Sequence, residues 1–214
     1  MGDSIVLSSP AVPKQARSKQ TREKILQAAK QLFQELGYEK TTSNEIAAAA
    51  GVSVGSFYVY FTDKRQVLLE IFDRVADELF KNVFDTLKPE DLFGPELRPR
   101  IGQAVAKAII DKQKQAGLHR VICELVLKDE EFAARSRTLM ERSRARLFEI
   151  ISLASKAGLT WELDVEAACF IVHRVVFDIS QDYVTGSCEF DQGRAIDALS
   201  DMICRFLFKP RASD

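Results

Sequence analysis

Residues 42–61 read TSNEIAAAAGVSVGSFYVYF. Thr42-x-x-Glu45 is a capping box, in which hydroxyl and carboxylate satisfy each other's orphan backbone N–H groups. It opens a short helix running through Ile46 and Ala47 to Ala50, and Gly51 interrupts that helix. Ser53 then caps a second short helix, Val54 to Tyr60. Two short helices packed at a steep angle need a small side chain at the crossing, a turn residue free to take positive φ, and apolar residues where surface is buried. Ala47 meets the first demand, Gly51 the second, and Ile46, Val52 and Phe57 the third. The spacing predicts a helix-turn-helix.

The second helix sorts into two faces. Phe57 and Phe61, four apart, point inward with Val52, while Val54 and Tyr58, also four apart, point outward. With the inward aromatic positions filled, Tyr58 is free for the exterior. Gly55 lets the backbone approach a partner closely, at a helix cost of about 1 kcal/mol against alanine. Ser53, Ser56 and Tyr60 add hydroxyls that can donate to phosphate oxygens, and a helix of this kind fits the major groove.

Working outward, Ile25, Ala28, Ala29, Leu32, Phe33 and Leu36 mark one face of a helix that Gly37 stops. Asp63-x-x-Gln66 is a second capping box, opening a long helix with Leu68, Ile71, Phe72, Val75, Leu79, Phe80, Val83 and Phe84 on its buried side. This helix, read to Leu87, begins near the short pair and ends in the rest of the chain, which makes it the physical link between them. Pro89, Gly94, Pro95 and Pro99 break the pattern, and helices are predicted near 97–115, 118–128, 130–156, 164–185 and 192–208, with Gly117, Gly158 and Gly186 in the connections. No period-two strand is convincing. The predicted fold is all-α, with about nine helices: an N-terminal three-helix helix-turn-helix domain followed by a helical body.

Composition narrows the function. The 214 residues are 46% hydrophobic and 29% charged, with a mean hydropathy of −0.10, a soluble globular profile without the roughly 18-residue apolar run a membrane span needs. Ile5-Val6-Leu7 is too short for an export signal and follows Asp3, so a cytoplasmic location is expected. Cys123, Cys169, Cys188 and Cys204 stand far apart, and with only His119 and His173 beside them no metal site or other cofactor is predicted. A redox-sensing cysteine would need a depressed pKa. Sequence motifs for a catalytic serine elbow, a phosphate loop or a zinc protease are absent, so no catalytic residues are assigned and an enzyme is not expected. The net charge of −1 hides an asymmetry: residues 1–65 hold nine Lys/Arg against six Asp/Glu. The excess is densest at Lys14, Arg17, Lys19, Arg22 and Lys24, which suits contact with a polyanion. Arg120, Glu124 and Lys128, spaced by four, read as a solvated charged stripe rather than a buried carboxylate.

The segment Thr21–Leu69, TREKILQAAKQLFQELGYEKTTSNEIAAAAGVSVGSFYVYFTDKRQVLL, resembles the DNA-binding domain of the tetracycline-repressor (TetR/AcrR) family, most specifically over Ile46–Leu68. With Ser8-Ser9-Pro10 and Pro13 and no apolar period, residues 1–16 read as a flexible arm, and the resemblance implies a DNA-binding domain over 17–64 and a ligand-sensing, dimerising domain over 65–214. It assigns DNA contacts to Thr42, to Ser53, Val54, Gly55, Ser56 and Tyr58 of the recognition helix, to Tyr60, and to Lys64; Arg17 and Lys19 join them from the charge of the basic segment. Val54 departs from the basic or polar residue the family often places there; valine can meet a thymine methyl but cannot read guanine by hydrogen bonds. The family's last two helices form a dimer interface, which here implies Val172, Val176, Ile179, Leu199, Ile203 and Phe206. A ligand cavity among the middle helices implies Phe80, Ile109, Cys123, Phe148, His173 and Phe177. The implied function is a ligand-responsive transcriptional regulator, a repressor released from a pseudo-palindromic operator by a small molecule. Its partners are then double-stranded DNA, an effector and a second copy of itself, with no membrane. An activator, or a helical ligand-binding module without DNA binding, is the alternative.

Overall fold

The computed structural model describes residues 14–210. The arm expected over residues 1–13 lies outside them. Residues 14–16, also assigned to that arm, instead form the first turn of helix α1, Lys14–Leu36, because lysine, glutamine and alanine are all good helix formers. Gly37 follows at φ +83°. The buried Thr41 closes the turn by donating its hydroxyl to the Gly37 carbonyl at 2.8 Å.

Helices α2 (Ser43–Ala49), α3 (Val54–Tyr60) and α4 (Lys64–Phe84) come next. The chain divides into two compact units between Leu68 and Leu69, so α4 gives its first turn to one unit and the rest to the other. In the N-terminal unit α2 packs on both α1 and α3. Its core is made by Ile25, Ala29, Phe33, Ile46, Ala47, Phe57, Phe61, Val67 and Leu68, all buried. Full burial of each large side chain contributes about 1.5–3 kcal/mol.

The C-terminal unit holds the remainder of α4, a 3-10 turn over Pro89–Phe93, and helices α5 (Leu97–Gln113), α6 (Ala116–Lys128), α7 (Glu130–Lys156), α8 (Val165–Thr185) and α9 (Gln192–Leu207). The predicted helices agree with these closely, and the fold is all-helical with nine α-helices among the described residues. Two details differ. Pro99 lies in the first turn of α5, where its missing N–H forfeits no hydrogen bond. Gly117 lies in the first turn of α6 rather than in a connection. Aspartates start the later helices: Asp129, Asp164 and Asp191 each accept backbone N–H groups at the N-termini of α7, α8 and α9. Helix α5 packs on α8 and α9, and α7 packs on α6 and α8.

Beyond α9 the chain returns to the α7–α8 connection. Thr160 and Phe208 form an isolated antiparallel bridge. The N–H of Trp161 donates to the Leu207 carbonyl at 3.2 Å and that of Lys209 to the Leu159 carbonyl at 2.9 Å. The half-exposed indole of Trp161 donates Nε1–H to the Arg205 carbonyl at 3.2 Å. Among the described residues no helix is long and apolar enough to cross a membrane.

Candidate functional site

The N-terminal unit displays α3. Phe57 and Phe61 are buried, whereas Val54 is 41%, Tyr58 55% and Val59 78% exposed. The outward face is therefore apolar and aromatic, rimmed by hydroxyls. Val59 belongs to it but escapes the sequence reading; its offset of two from the buried Phe57 was the available signal. Val52, expected inward with the phenylalanines, is half-buried.

Local chemistry holds this face in place. The capping box of α2 is formed: Thr42 N–H donates to Glu45 Oε2 at 2.8 Å, and Glu45 N–H donates to Thr42 Oγ1 at 3.2 Å. Gly51 takes φ +66° in the turn, with open space where a Cβ would stand, so glycine is required there by backbone conformation alone. Ser53 Oγ accepts the Ser56 N–H at 3.0 Å and lies 2.8 Å from Ser56 Oγ. One hydroxyl proton of that serine pair is thus spent internally and the other remains available. Tyr58 packs its ring edge-on against Phe57, which stiffens it in the exposed position.

The second capping box is displaced by one residue. Asp63 accepts the Gln66 N–H at 2.7 Å, but Gln66 reaches back to the Thr62 N–H, also at 2.7 Å, rather than to that of Asp63. Lys64, read as a phosphate contact, is occupied inside the unit. Its ammonium donates to the carbonyls of Tyr38 and Glu39 at 2.7 and 3.4 Å and lies 4.3 Å from the centroid of the Tyr38 ring. It fastens the α1–α2 connection to the start of α4. Arg22 likewise lies over the Phe61 ring, while Arg17 and Lys19 are exposed on α1.

The C-terminal unit holds a cavity of about 440 Å³, within the roughly 300–1,000 Å³ typical of small-molecule sites. Helices α4 to α9 all contribute to its wall. Phe80, Cys123, His173 and Phe177 line it, as the family resemblance implied, but Ile109 and Phe148 do not. Ile109 is consumed by the core and Phe148 is 47% exposed, because each lies on a helix face turned away from the hollow.

Lys112 is the residue that sequence reading missed. It lines the cavity and is only 7% exposed. Its Nζ donates to Ser180 Oγ at 2.8 Å and Gln181 Oε1 at 3.2 Å and sits 4.1 Å from the Phe177 ring centroid. Burial lowers its pKa to about 8. Its position follows Ile101, Val105 and Ala108 at helical spacing on the apolar face of α5, a periodicity that places a lysine where a leucine is the norm. His173 is stacked on Phe177; burial, then the positive charges of Arg144, Lys112 and Arg174, push its pKa below the ordinary value. Burial pushes the Cys169 thiol up to about 11 and raises that of Cys204 as well, the opposite of what a thiolate sensor needs.

The dimer-face residues divide. Val172, Leu199 and Ile203 are buried in the unit's own core, and Val172, Val176 and Ile203 also border the cavity. Ile179 is half-buried against the same core. The physical reason is α5, which covers the apolar faces of both α8 and α9. Of the six, Phe206 alone is exposed, and it shares the exterior of these helices with Phe170, Ile171 and Met202.

Comparison with known proteins bears on both units. Residues 25–71 match the family model described as bacterial regulatory proteins, tetR family. The chain is 28% identical over 185 residues to the HTH-type transcriptional repressor BepR of Brucella suis biovar 1 (strain 1330), covering 82% of this chain and 86% of BepR. Its fold is similar to the crystal structure of a putative TetR-family transcriptional regulator from Mesorhizobium loti MAFF303099, with a TM-score of 0.76, 21% identity, and 90% and 99% of the two chains covered. It is also similar to a SmeT–triclosan complex, with a TM-score of 0.73, 22% identity, and coverage of 88% and 92%.

Proposed function

Since the chain belongs to the tetR family of bacterial regulatory proteins, we propose that it is a homodimeric, ligand-responsive transcriptional repressor acting on DNA in the cytoplasm by binding rather than catalysis. The observation that carries this is the display of α3, with Phe57 and Phe61 in the core while Val54, Tyr58 and Val59 face outward. In this reading Val54, Gly55, Ser56, Tyr58 and Val59 meet base edges and sugars. Thr42, Ser53, Tyr60, Arg17 and Lys19 meet phosphates, and Lys64 positions the connection beside them. Val54 and Val59 favour thymine methyls over guanine.

The cavity is the effector site. SmeT, a fold neighbour, is a protein whose complex holds triclosan, which supports a small-molecule role for the corresponding body here. Helix α4 starts at Lys64, beside the reading helix in the chain, and supplies Phe80 and Val83 to the cavity wall. Effector and operator then compete through one equilibrium between dimer states, and the coupling is reciprocal. The exposed Phe170, Ile171, Met202 and Phe206 supply the contact between two copies.

Selection of bound duplexes from a random library tests the proposal. The expected product is a pseudo-palindrome whose half-sites lie about 34–36 Å apart, bound with a salt-dependent affinity far above that for random DNA. No enrichment after repeated rounds, or equal affinity for selected and random duplexes, overturns it.

A further inference from the structure

The chemistry of the cavity wall points beyond "small molecule". Lys112 is the one residue among the lining that bears a formal charge, and no aspartate or glutamate joins it there. Its ammonium is held by a serine hydroxyl, an amide oxygen and an aromatic face, all of them electrically neutral. Ser180 cannot give way easily, because its own proton is donated to the Phe177 carbonyl at 2.6 Å. The carboxylate whose charge reaches Lys112 is that of Asp178 in α8, and Asp178 is paired with Arg174 at 2.9 Å. Two of the three ammonium protons are used, and no carboxylate among the described residues lies within ion-pairing distance of Lys112. A buried cation held only by neutral groups is costly, and a buried opposite charge relieves that cost. Apart from Lys112, His119, His173, Gln181, Cys123, Met140 and three serines, the lining is aliphatic or aromatic.

We propose that the effector is an amphipathic anion, a carboxylate or equivalent head group joined to an apolar body, whose head pairs with Lys112 while the body fills the aliphatic part of the cavity. This rests on the reading of the cavity as the effector site and adds to it the sign of the effector's charge. The same wall disfavours organic cations, which would meet an ammonium and no acid.

Three probes of matched length separate the possibilities: decanoate, decan-1-ol and decylammonium, titrated calorimetrically into the full-length protein, its K112M and K112R variants, and Ala108→Phe, which narrows the cavity one helical turn before Lys112. Decanoate is expected to bind on the order of tenfold or more tighter than decanol, with decylammonium weakest. K112M brings decanoate down to the level of decanol without weakening decanol, K112R retains a preference for decanoate, and Ala108→Phe weakens both. Decanol binding as tightly as decanoate, or decanoate unaffected by K112M, overturns the anionic effector while leaving the cavity as the effector site. Binding of all probes that is indifferent to Ala108→Phe places them elsewhere, and overturns the cavity reading together with this inference. Thermal melts of each variant, run alongside, show whether a loss of binding is a loss of fold; K112M, lacking the buried charge, is expected to melt no lower than the parent.

Discussion

Gly55 lies in the first turn of α3 with ordinary backbone geometry, and the nearest atom to a methyl added there would be Ser53 Oγ at 3.9 Å. The fold therefore does not require glycine there. Gly55→Ala is expected to leave the melting temperature unchanged or raise it, by up to about 1 kcal/mol in stability, while weakening operator binding because the methyl stands between backbone and DNA. Anisotropy titrations showing parental affinity would remove the close-approach role. Lys64 and the α1 cations should separate in the opposite sense. Lys64→Met keeps the aliphatic stem but loses two carbonyl contacts and the Tyr38 ring, so a destabilisation of about 1–2 kcal/mol is expected, with little change in the salt dependence of DNA binding. Arg17→Ala and Lys19→Ala should leave stability alone and each lower the log–log salt slope by about one unit. A Lys64→Met slope reduced as much as theirs would return that ammonium to the phosphate backbone.

Helices α8 and α9 each carry two apolar faces, and the faces have different owners. Leu199→Ala, in the unit's own core, is expected to cost about 2–5 kcal/mol in chemical unfolding. Phe170→Glu combined with Met202→Glu should leave the monomer folded and abolish the dimer in sedimentation velocity; a dimer that survives the pair would place the interface elsewhere. This division also marks how far sequence could be read. Helix positions were legible because Gly37, Gly51 and Gly186 close helices and Thr42 and Ser53 open them, all by local backbone chemistry, as Asp129, Asp164 and Asp191 do for the later helices in the structure. The helix-turn-helix was legible because Ala47, Gly51 and Phe57 answer steric demands within twenty residues. Ownership of an apolar face was not, since periodicity reports that Val172, Leu199 and Ile203 are buried without saying by which element. That answer depends on α5, some seventy to a hundred residues earlier. Lys112 was hidden for the same reason: a lysine on an apolar stripe becomes informative only once a hollow is known to lie beside it.

At the scale of the whole molecule, the buried ammonium ties stability to pH and to occupancy. Burial takes Lys112 from an ordinary pKa of 10.5 to about 8, so between those values the unfolded chain holds a proton that the folded chain has released. Stability therefore rises with pH across that window, and below pH 8 the ligand-free protein carries the full penalty, about 3 kcal/mol. Cys123 from α6 and Asp178 from α8, both of which favour the charged lysine, and His173, which feels it, are the titratable neighbours. Comparing the parent with K112M cancels their own titrations. Urea unfolding at pH 7, 8.5 and 10 is expected to show the variant more stable at pH 7 and the gap closing by pH 10; parallel curves would mean that the lysine is not desolvated in solution. One further feature makes such changes visible without added labels. Trp161 is the chain's sole indole, anchored by its ring nitrogen to the backbone at the end of α9. Ultraviolet excitation at its absorption edge thus addresses a single built-in chromophore, and any event that unfastens that end of the helix should register as a red shift in its emission.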